Sequence, residues 1–414
     1  MYEMIERCRI CGNPELMCVL DLGVQMLTGV FPRTRDQSIS SGPLRLMKCM
    51  GGPDVCGLLQ LGHSFDLGEM YGENYGYRSG LNESMVRHLR AKVAKISTCY
   101  PLSAGDLVVD IGSNDGTTLA AYLQPGLHRV GVDPTALKFA SYYPEGAVLI
   151  PEFFSRSVLG MHGIDQKAKV ITSLSMFYDL ESPMQFMREV HELLADDGVW
   201  VFEQSYLPTM LEMNSYDTVC HEHLEYYALA QIKWMADRVG FTITDLEFNE
   251  INGGSFSVTV RKTGHGIESP DVARVLRAES SIGLGGVAPF EDFASRVEGL
   301  KAQLVEFLIR ARAAGKSIAA IGASTKGNVL LQYCGLNHTT ITAIGEVNPD
   351  KVGCLTPGTW IPIIPEREVL AQRPDYVLVL PWHFRKFFLE SPQFAGTTLV
   401  FPLPSLEVRT ACAN

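Results

Sequence analysis

Short apolar runs alternate with segments of helical period along this chain, and that alternation predicts the fold class before any motif is considered. The runs at 107–109, 129–132, 169–171 and 199–202 are separated by helical patterns, as in a parallel sheet covered on both faces. Positions 255–260 alternate cleanly between polar and apolar residues, as an edge or hairpin strand does. After Thr263 a passage containing Gly and Pro gives way to one long amphipathic helix. Phe290, Phe293, Val297, Leu300, Leu304, Phe307 and Leu308 recur on it at helical spacing and are predicted to face a core. Beyond Gly315 a second alternating pattern begins at 317–321 and continues through 376–380. The prediction is an α/β protein of three domains, 1–72, 73–262 and 263–414, the last a helical connector with a smaller α/β unit. No repeat of fixed period and no low-complexity tract interrupts them.

Composition narrows the class. A chain of 414 residues with 46% hydrophobic and 20% charged positions has material for two or three ordinary cores. Its apolar runs are too short to span a bilayer. The first nine residues carry charges of both signs and lack the apolar stretch of a secretory signal, so the expected location is the cytoplasm, without membrane association. The formal charge of −11, with no Lys/Arg-rich block, argues against a nucleic-acid partner. A small phosphorylated ligand remains compatible, and a monomer or weak dimer is expected.

Ten cysteines without a secretory signal suit reduced thiols or metal ligands better than disulfides. Cys8-Arg9-Ile10-Cys11-Gly12 is a compact chelating knuckle. Cys49 and Cys56 supply a second pair, with Gly51, Gly52 and Pro53 in a loop between them. Four thiolates would close a tetrahedral shell around a structural zinc ion; Cys18 is a less favoured substitute, and four free cysteines are the alternative.

Val109-Asp110-Ile111-Gly112-Ser113-Asn114-Asp115-Gly116 leaves a predicted strand and enters a helical pattern. Gly112 and Gly116 permit close backbone approach, but their spacing is not that of the dinucleotide fingerprint. Asp133 follows Gly112 by twenty-one residues at the end of the next strand, where a carboxylate can accept ribose hydroxyls. The loop resembles the first motif of class I S-adenosylmethionine-dependent methyltransferases. That resemblance gives Asp133 the ribose and Gly112 the amino-acid part of the donor.

Two imidazoles, three carboxylates and two phenols crowd the segment from Asp217 to Tyr227, which includes His221-Glu222-His223. Such groups suit proton transfer near neutrality. A metal site or a satisfied buried turn are the alternatives.

Taken with the N-terminal cysteines, Cys56-Gly57-Leu58-Leu59-Gln60-Leu61, Tyr75-Gly76-Tyr77-Arg78-Ser79, Gly253-Gly254-Ser255, the stretch Gly322-Ala323-Ser324-Thr325-Lys326-Gly327-Asn328 and Pro357-Gly358-Thr359-Trp360-Ile361-Pro362, the chain resembles the three-domain sugar C-methyltransferases. That family is typified by the C-3'-methyltransferases of thymidine-diphosphate-linked 4-keto-deoxysugars. The resemblance implies a small zinc-binding domain, a central class I Rossmann-like domain and a C-terminal Rossmann-like α/β domain, with S-adenosylmethionine and structural zinc as cofactors. It implies Tyr75, Tyr77, Asp110, Asn114, Asp115 and Gly116 beside Gly112 and Asp133 at the donor, and His223 as base with Glu222. Departures occur where Cys220 precedes the first histidine, where Tyr178-Asp179 follows the fourth strand in place of Ala-His, and at Asn252. Tyr178, Asn252, Lys326 and Asn328 are the expected substrate contacts, with the 322–327 loop and Lys326 suited to a diphosphate.

The expected chemistry is removal of a proton next to a ketone by His223. Glu222 or Tyr216 would steady the imidazole or the enolate oxygen, His221 is the alternative base, and the carbanion then attacks the donor methyl. The competing readings are O- or N-methylation of a related sugar nucleotide, a nicotinamide-dependent sugar oxidoreductase, and a non-catalytic sugar-nucleotide-binding protein with a methyltransferase fold.

Overall fold

The computed structural model describes residues 2–71 and 77–412. Among them the chain builds three main sheets and a small two-stranded one pairing Tyr2–Met4 with His63–Phe65. The central sheet has seven strands in the order Phe241–Asn249, Ser255–Lys262, Leu194–Ser205, Ala168–Leu174, Leu107–Ile111, His128–Val132, Val148–Ile150. From Leu194–Ser205 onward the neighbours run parallel. Strand Leu107–Ile111 is buried at every position, which explains why its sequence is uniformly apolar up to Asp110.

Strand Ser255–Lys262 forms a hairpin with Phe241–Asn249, as its alternation predicts, but it is not an edge. It lies between that strand and Leu194–Ser205, antiparallel to both, and its first six residues are buried. Its small polar side chains at Ser255, Ser257 and Thr259 are buried too, which is why the alternation misstates its exposure.

The passage after Thr263 also holds a helix that its Gly and Pro content conceals, Pro270–Ile282. Ser269 caps it by accepting from the Asp271 N–H, Pro270 occupies the first turn and Gly283 ends it with φ +84°, the usual N-terminal Pro, C-terminal Gly asymmetry. Buried Glu279 accepts from Tyr206 Oη and from the backbone N–H groups of Leu229 and Ala230. It thereby satisfies the N-terminus of helix Leu229–Val239, a favourable place for a carboxylate. The long helix then runs Ala288–Ala313.

The N-terminal sheet orders Glu225–Tyr226, Leu59–Leu61, Ser41–Cys49 and Leu16–Met26, all antiparallel. One of its strands therefore comes from far along the chain, directly after the His-Glu-His segment. The C-terminal sheet orders Ile363–Pro365, Ile344–Glu346, Ile318–Ile321, Tyr376–Val379, Thr398–Phe401 and Glu407–Thr410, parallel except at the last strand.

The cores cross the predicted boundaries. One joins the N-terminal sheet, residues between Leu207 and Ala228, the long helix and the C-terminal sheet. Another joins Cys8, Cys49, Cys56 and Leu58 to Trp200, Phe202 and Tyr227 of the central region. No helix among the described residues is long and apolar enough to cross a membrane.

In both parallel sheets the strand order reverses once, between Leu107–Ile111 and Ala168–Leu174 and between Ile318–Ile321 and Tyr376–Val379. Crevices open at such switch points, at the carboxyl ends of the strands, and ligands bind there.

Candidate active site

The four predicted cysteines converge. Their sulfurs all lie within 4.8 Å of one another; Cys8–Cys56, Cys11–Cys56 and Cys11–Cys49 are 3.4, 3.5 and 3.6 Å apart. A Zn–S bond of about 2.3 Å implies sulfurs about 3.8 Å apart in a tetrahedron, so the residues fit zinc. The Asn13 side-chain amide donates to Cys49 Sγ at 3.3 Å, an outer-shell contact of the kind that orients thiolate ligands. Cys18 is exposed and its thiol turns to the Leu20 carbonyl.

The cofactor loop sits at the central switch point. Gly112 and Gly116 both have φ +74°, a conformation costly for residues with a Cβ. A Cβ on Gly112 would also stand 2.8 Å from Met176 Cγ, so the loop and the end of the adjacent strand are in contact. Asp133, buried at the end of strand His128–Val132, holds the loop: its carboxylate accepts from the Asn114 N–H at 2.8 Å and from Thr135 N–H and Oγ1 at 2.7 and 2.6 Å.

Asn114 and Asp115 grip the preceding segment. Asn114 Oδ1 accepts from Ser79 N–H, its Nδ2 donates to the Tyr77 carbonyl, and Asp115 Oδ2 accepts from Gly80 N–H. Tyr77 itself is about half exposed, at 48%; Tyr75 lies outside the described residues. Asp110 is buried beneath the loop, accepts from Thr172 Oγ1 at 2.5 Å, and has its pKa pushed up to about 7 by burial, against hydrogen bonds from Thr172 and Thr118.

The His-Glu-His segment is a turn between the short helix Tyr216–Thr218 and strand Glu225–Tyr226. Its two histidines part company. His221 is fully buried, edge-on to Phe65, with Nδ1 3.3 Å from Thr28 Oγ1. His223 packs edge-on to Tyr178 at 4.5 Å, and its Nδ1 lies 2.8 Å from the Thr218 carbonyl. A carbonyl can only accept, so Nδ1 carries the proton and Nε2 keeps its lone pair. Burial and then the Lys326 charge bring the His223 pKa down to about 4, so the imidazole is neutral at neutral pH and able to accept a proton.

Lys326 stands on the first turn of helix Thr325–Tyr333, capped by Ser324, at the C-terminal switch point. Its ammonium donates to the Asn252 carbonyl at 2.9 Å. Asn252, at φ +55°, reaches Ser175 Oγ at 3.4 Å, and Ser175 adjoins the Met176 that faces Gly112. The two switch points are thus linked through Asn252 and Ser175. Across from Lys326, Trp382 Nε1 donates to Asp217 at 2.8 Å. His383 has its pKa lowered to about 3 by burial and Lys326.

Asp179 and Glu222 are both raised by burial, Asp179 also by the Glu222 charge. A Cβ on Gly29 would overlap Glu222 Oε1 and stand 3.6 Å from Thr325 Oγ1, so the N-terminal domain reaches this place.

The structure therefore brings together His223, Glu222, Tyr178, Asn252 and Lys326. Three other predicted residues each have a polar atom committed to a protein neighbour. The Tyr216 hydroxyl is buried against Cys334 Sγ at 3.6 Å, His221 faces Thr28, and buried Asn328 donates to the Thr28 carbonyl at 2.7 Å. Sequence reasoning missed Gly29, Thr218 and His383. Only His383 leaves a signal, as a histidine just past the apolar run 376–380.

Family models match the chain in three parts: a zinc binding domain at 8–71, a methyltransferase domain at 81–246 and a C-methyltransferase C-terminal domain at 250–404. The C-methyltransferase NovU of Streptomyces niveus is 30% identical over 421 residues, covering 98% of this chain and 97% of the relative. Solved structures that match at low identity include the magnesium protoporphyrin IX methyltransferase ChlM of Synechocystis PCC 6803 with bound SAM. It is 14% identical, covers 43% of this chain and 79% of its own, and has a TM-score of 0.33. The CcbJ methyltransferase of Streptomyces caelestis is 13% identical, covering 42% and 90%, with a TM-score of 0.33.

Proposed function

Because the chain belongs to the C-methyltransferase family and is dependent on S-adenosylmethionine, we propose that it methylates a ring carbon, C-3' as first choice, next to the ketone of a nucleotide-diphosphate-linked 4-keto-deoxysugar. His223 carries this reading. Its Nδ1–H is committed to the Thr218 carbonyl, which leaves Nε2 as the basic atom beside Tyr178 and Lys326. A carbon next to a ketone becomes nucleophilic once its proton is taken, since the charge spreads onto oxygen.

Bound S-adenosylmethionine supplies an electrophilic methyl group. Asp133, Gly112 and the Asn114–Gly116 turn are the residues that would hold it, and Met176 fills the space between that loop and the substrate side. The chain's own work is to fix the sugar with its acidic carbon facing Nε2, to take the proton there and to align the resulting carbanion with the methyl group. Such alignment removes a large entropic part of the barrier. The zinc would hold Cys8–Cys56 and the sheet above it together and take no part in the reaction, since four thiolates leave no open coordination position.

Incubation with donor and thymidine-diphosphate-4-keto-6-deoxyglucose tests the reading. The expected product is a sugar nucleotide one methyl heavier, with a new carbon-bound methyl in its NMR spectrum. A methyl on oxygen or nitrogen instead would favour the competing transfer, and identification of the methylated carbon decides between the two positions flanking the ketone.

A further inference from the structure

The charge that the enolate oxygen acquires needs a partner, and the C-terminal sheet supplies a candidate with no other obvious duty. Lys326 leaves the switch point of that sheet. Among the described residues its ammonium makes no ion pair. Its hydrogen bond to the Asn252 carbonyl uses one of three N–H donors and aims the side chain away from its own helix, into the turn that also touches Ser175. From Ser175 the next residue, Met176, packs on Gly112. The ammonium is thereby tied to the donor end of the site, where the reacting carbon must stand. A lysine serving a diphosphate would instead stay over its own helix N-terminus, among the N–H groups that Ser324 shares there.

We propose that Lys326 is the oxyanion partner of the reaction: held by Asn252 beside His223, it donates to the ketone oxygen as the carbon-bound proton leaves. This rests on the enolate reading above. The step balances within the substrate and His223: the C–H bond breaks, its proton goes to Nε2, its electron pair forms the C=C bond, and the carbonyl π pair moves to oxygen opposite the ammonium. The enolate then returns the pair to carbon as the new C–C bond forms and the donor's sulfur takes the pair of the breaking S–C bond. A fixed cation at the developing charge needs no reorganisation at the moment of reaction, which is where such groups lower barriers most. Lys326 also depresses the imidazoles of His223 and His383 and opposes the burial effect on Asp217. These are the charged and titratable groups that register its field from the 216–223 segment and the turn after Tyr376–Val379.

Full-length Lys326→Met and Lys326→Arg, assayed with S-adenosylmethionine and thymidine-diphosphate-4-keto-6-deoxyglucose, test the proposal, with S-adenosylhomocysteine affinity as the control for folding. The methionine variant is expected to lose about 100-fold or more in kcat with KM little changed, and the arginine variant to recover part of the loss. The acid limb of the kcat/KM profile should move to higher pH in the methionine variant, because His223 is no longer held down by a neighbouring cation. A raised KM with kcat retained would make Lys326 a diphosphate anchor and overturn the proposal, as would an unshifted acid limb with full kcat. If the parent enzyme methylates this sugar on oxygen or nitrogen, the enolate reading itself fails. Carbon methylation by the parent with an unimpaired methionine variant defeats the lysine assignment alone.

Discussion

Gly29 lies directly beneath Glu222, so close that a Cβ on the glycine would overlap Oε1 of the carboxyl group. The contact joins two parts of the chain nearly two hundred residues apart and makes the zinc-bearing sheet a wall of the candidate active site. Strand Leu16–Met26 carries the chain to this point. There Gln332 of the C-terminal domain accepts from Met26 N–H and donates to its carbonyl.

Gly29→Ala should therefore displace Glu222 without touching the cofactor loop. If Glu222 serves the reaction as proposed, we expect methyl transfer to fall by about 10-fold or more, the cost of a misplaced group, while affinity for S-adenosylhomocysteine stays within experimental error of the parent. Steady-state kinetics and calorimetry on the same preparation check both halves. Full activity would mean that Glu222 has room to relax and that its position is immaterial.

Metal analysis should find one zinc per chain. Cys11→Ser should lower that content and the thermal midpoint together, because binding free energy at such a site is folding free energy. Since Cys8, Cys49 and Cys56 share a core with Trp200 and Phe202, the loss should extend to the central domain rather than unfold the first seventy residues alone. A variant with unchanged midpoint would argue against a structural metal.

Asp133→Ala removes more than a ribose contact. The same carboxylate accepts from the Asn114 and Thr135 N–H groups, so the loop loosens as the ligand loses its partner. Hydrogen bonds to a charged group are worth about 1.5–3 kcal/mol each, and a loss of about 10- to 100-fold in S-adenosylhomocysteine affinity is expected. Unchanged affinity would put the adenosine elsewhere.

His221 gives the fold a pH dependence of known sign. Burial lowers its pKa to about 4 from an ordinary 6.5, so the unfolded chain binds more protons between those values and this group's stabilisation is lost as pH falls through that window. The single-group contribution is on the order of 3 kcal/mol at most. Buried carboxyls with raised pKa, such as Asp179 and Glu222, slope the other way. The measurement is accordingly a comparison: denaturant unfolding of parent and His221→Phe at pH 7 and pH 5, with the variant losing less stability on acidification. Equal losses would show that His221 does not contribute.

The parts of this molecule written locally were legible. The uniformly apolar runs of the central sheet, the paired cysteines and the Gly112–Gly116 turn each state their role within a few residues. What escaped was set by distance along the chain. Nothing near Gly29 announces Glu222, and Thr218 looks like any threonine until its carbonyl is found on His223. Asn328 and Tyr216 are marked by their motifs, but no motif states that their side chains meet Thr28 and Cys334. Helix Pro270–Ile282 was hidden because Ser269, Pro270 and Gly283, which cap it, resemble loop punctuation when the apolar face is short.

The most direct measurement is solvent exchange at the carbon that reacts. With S-adenosylhomocysteine in place of the donor and thymidine-diphosphate-4-keto-6-deoxyglucose in heavy water, the parent enzyme should incorporate deuterium at one position next to the ketone. His223→Asn should bind both ligands nearly as the parent does and incorporate none beyond the uncatalysed rate. Equal incorporation by parent and His223→Asn would contradict His223 as the base, and so would loss of incorporation in His221→Asn with His223→Asn fully active.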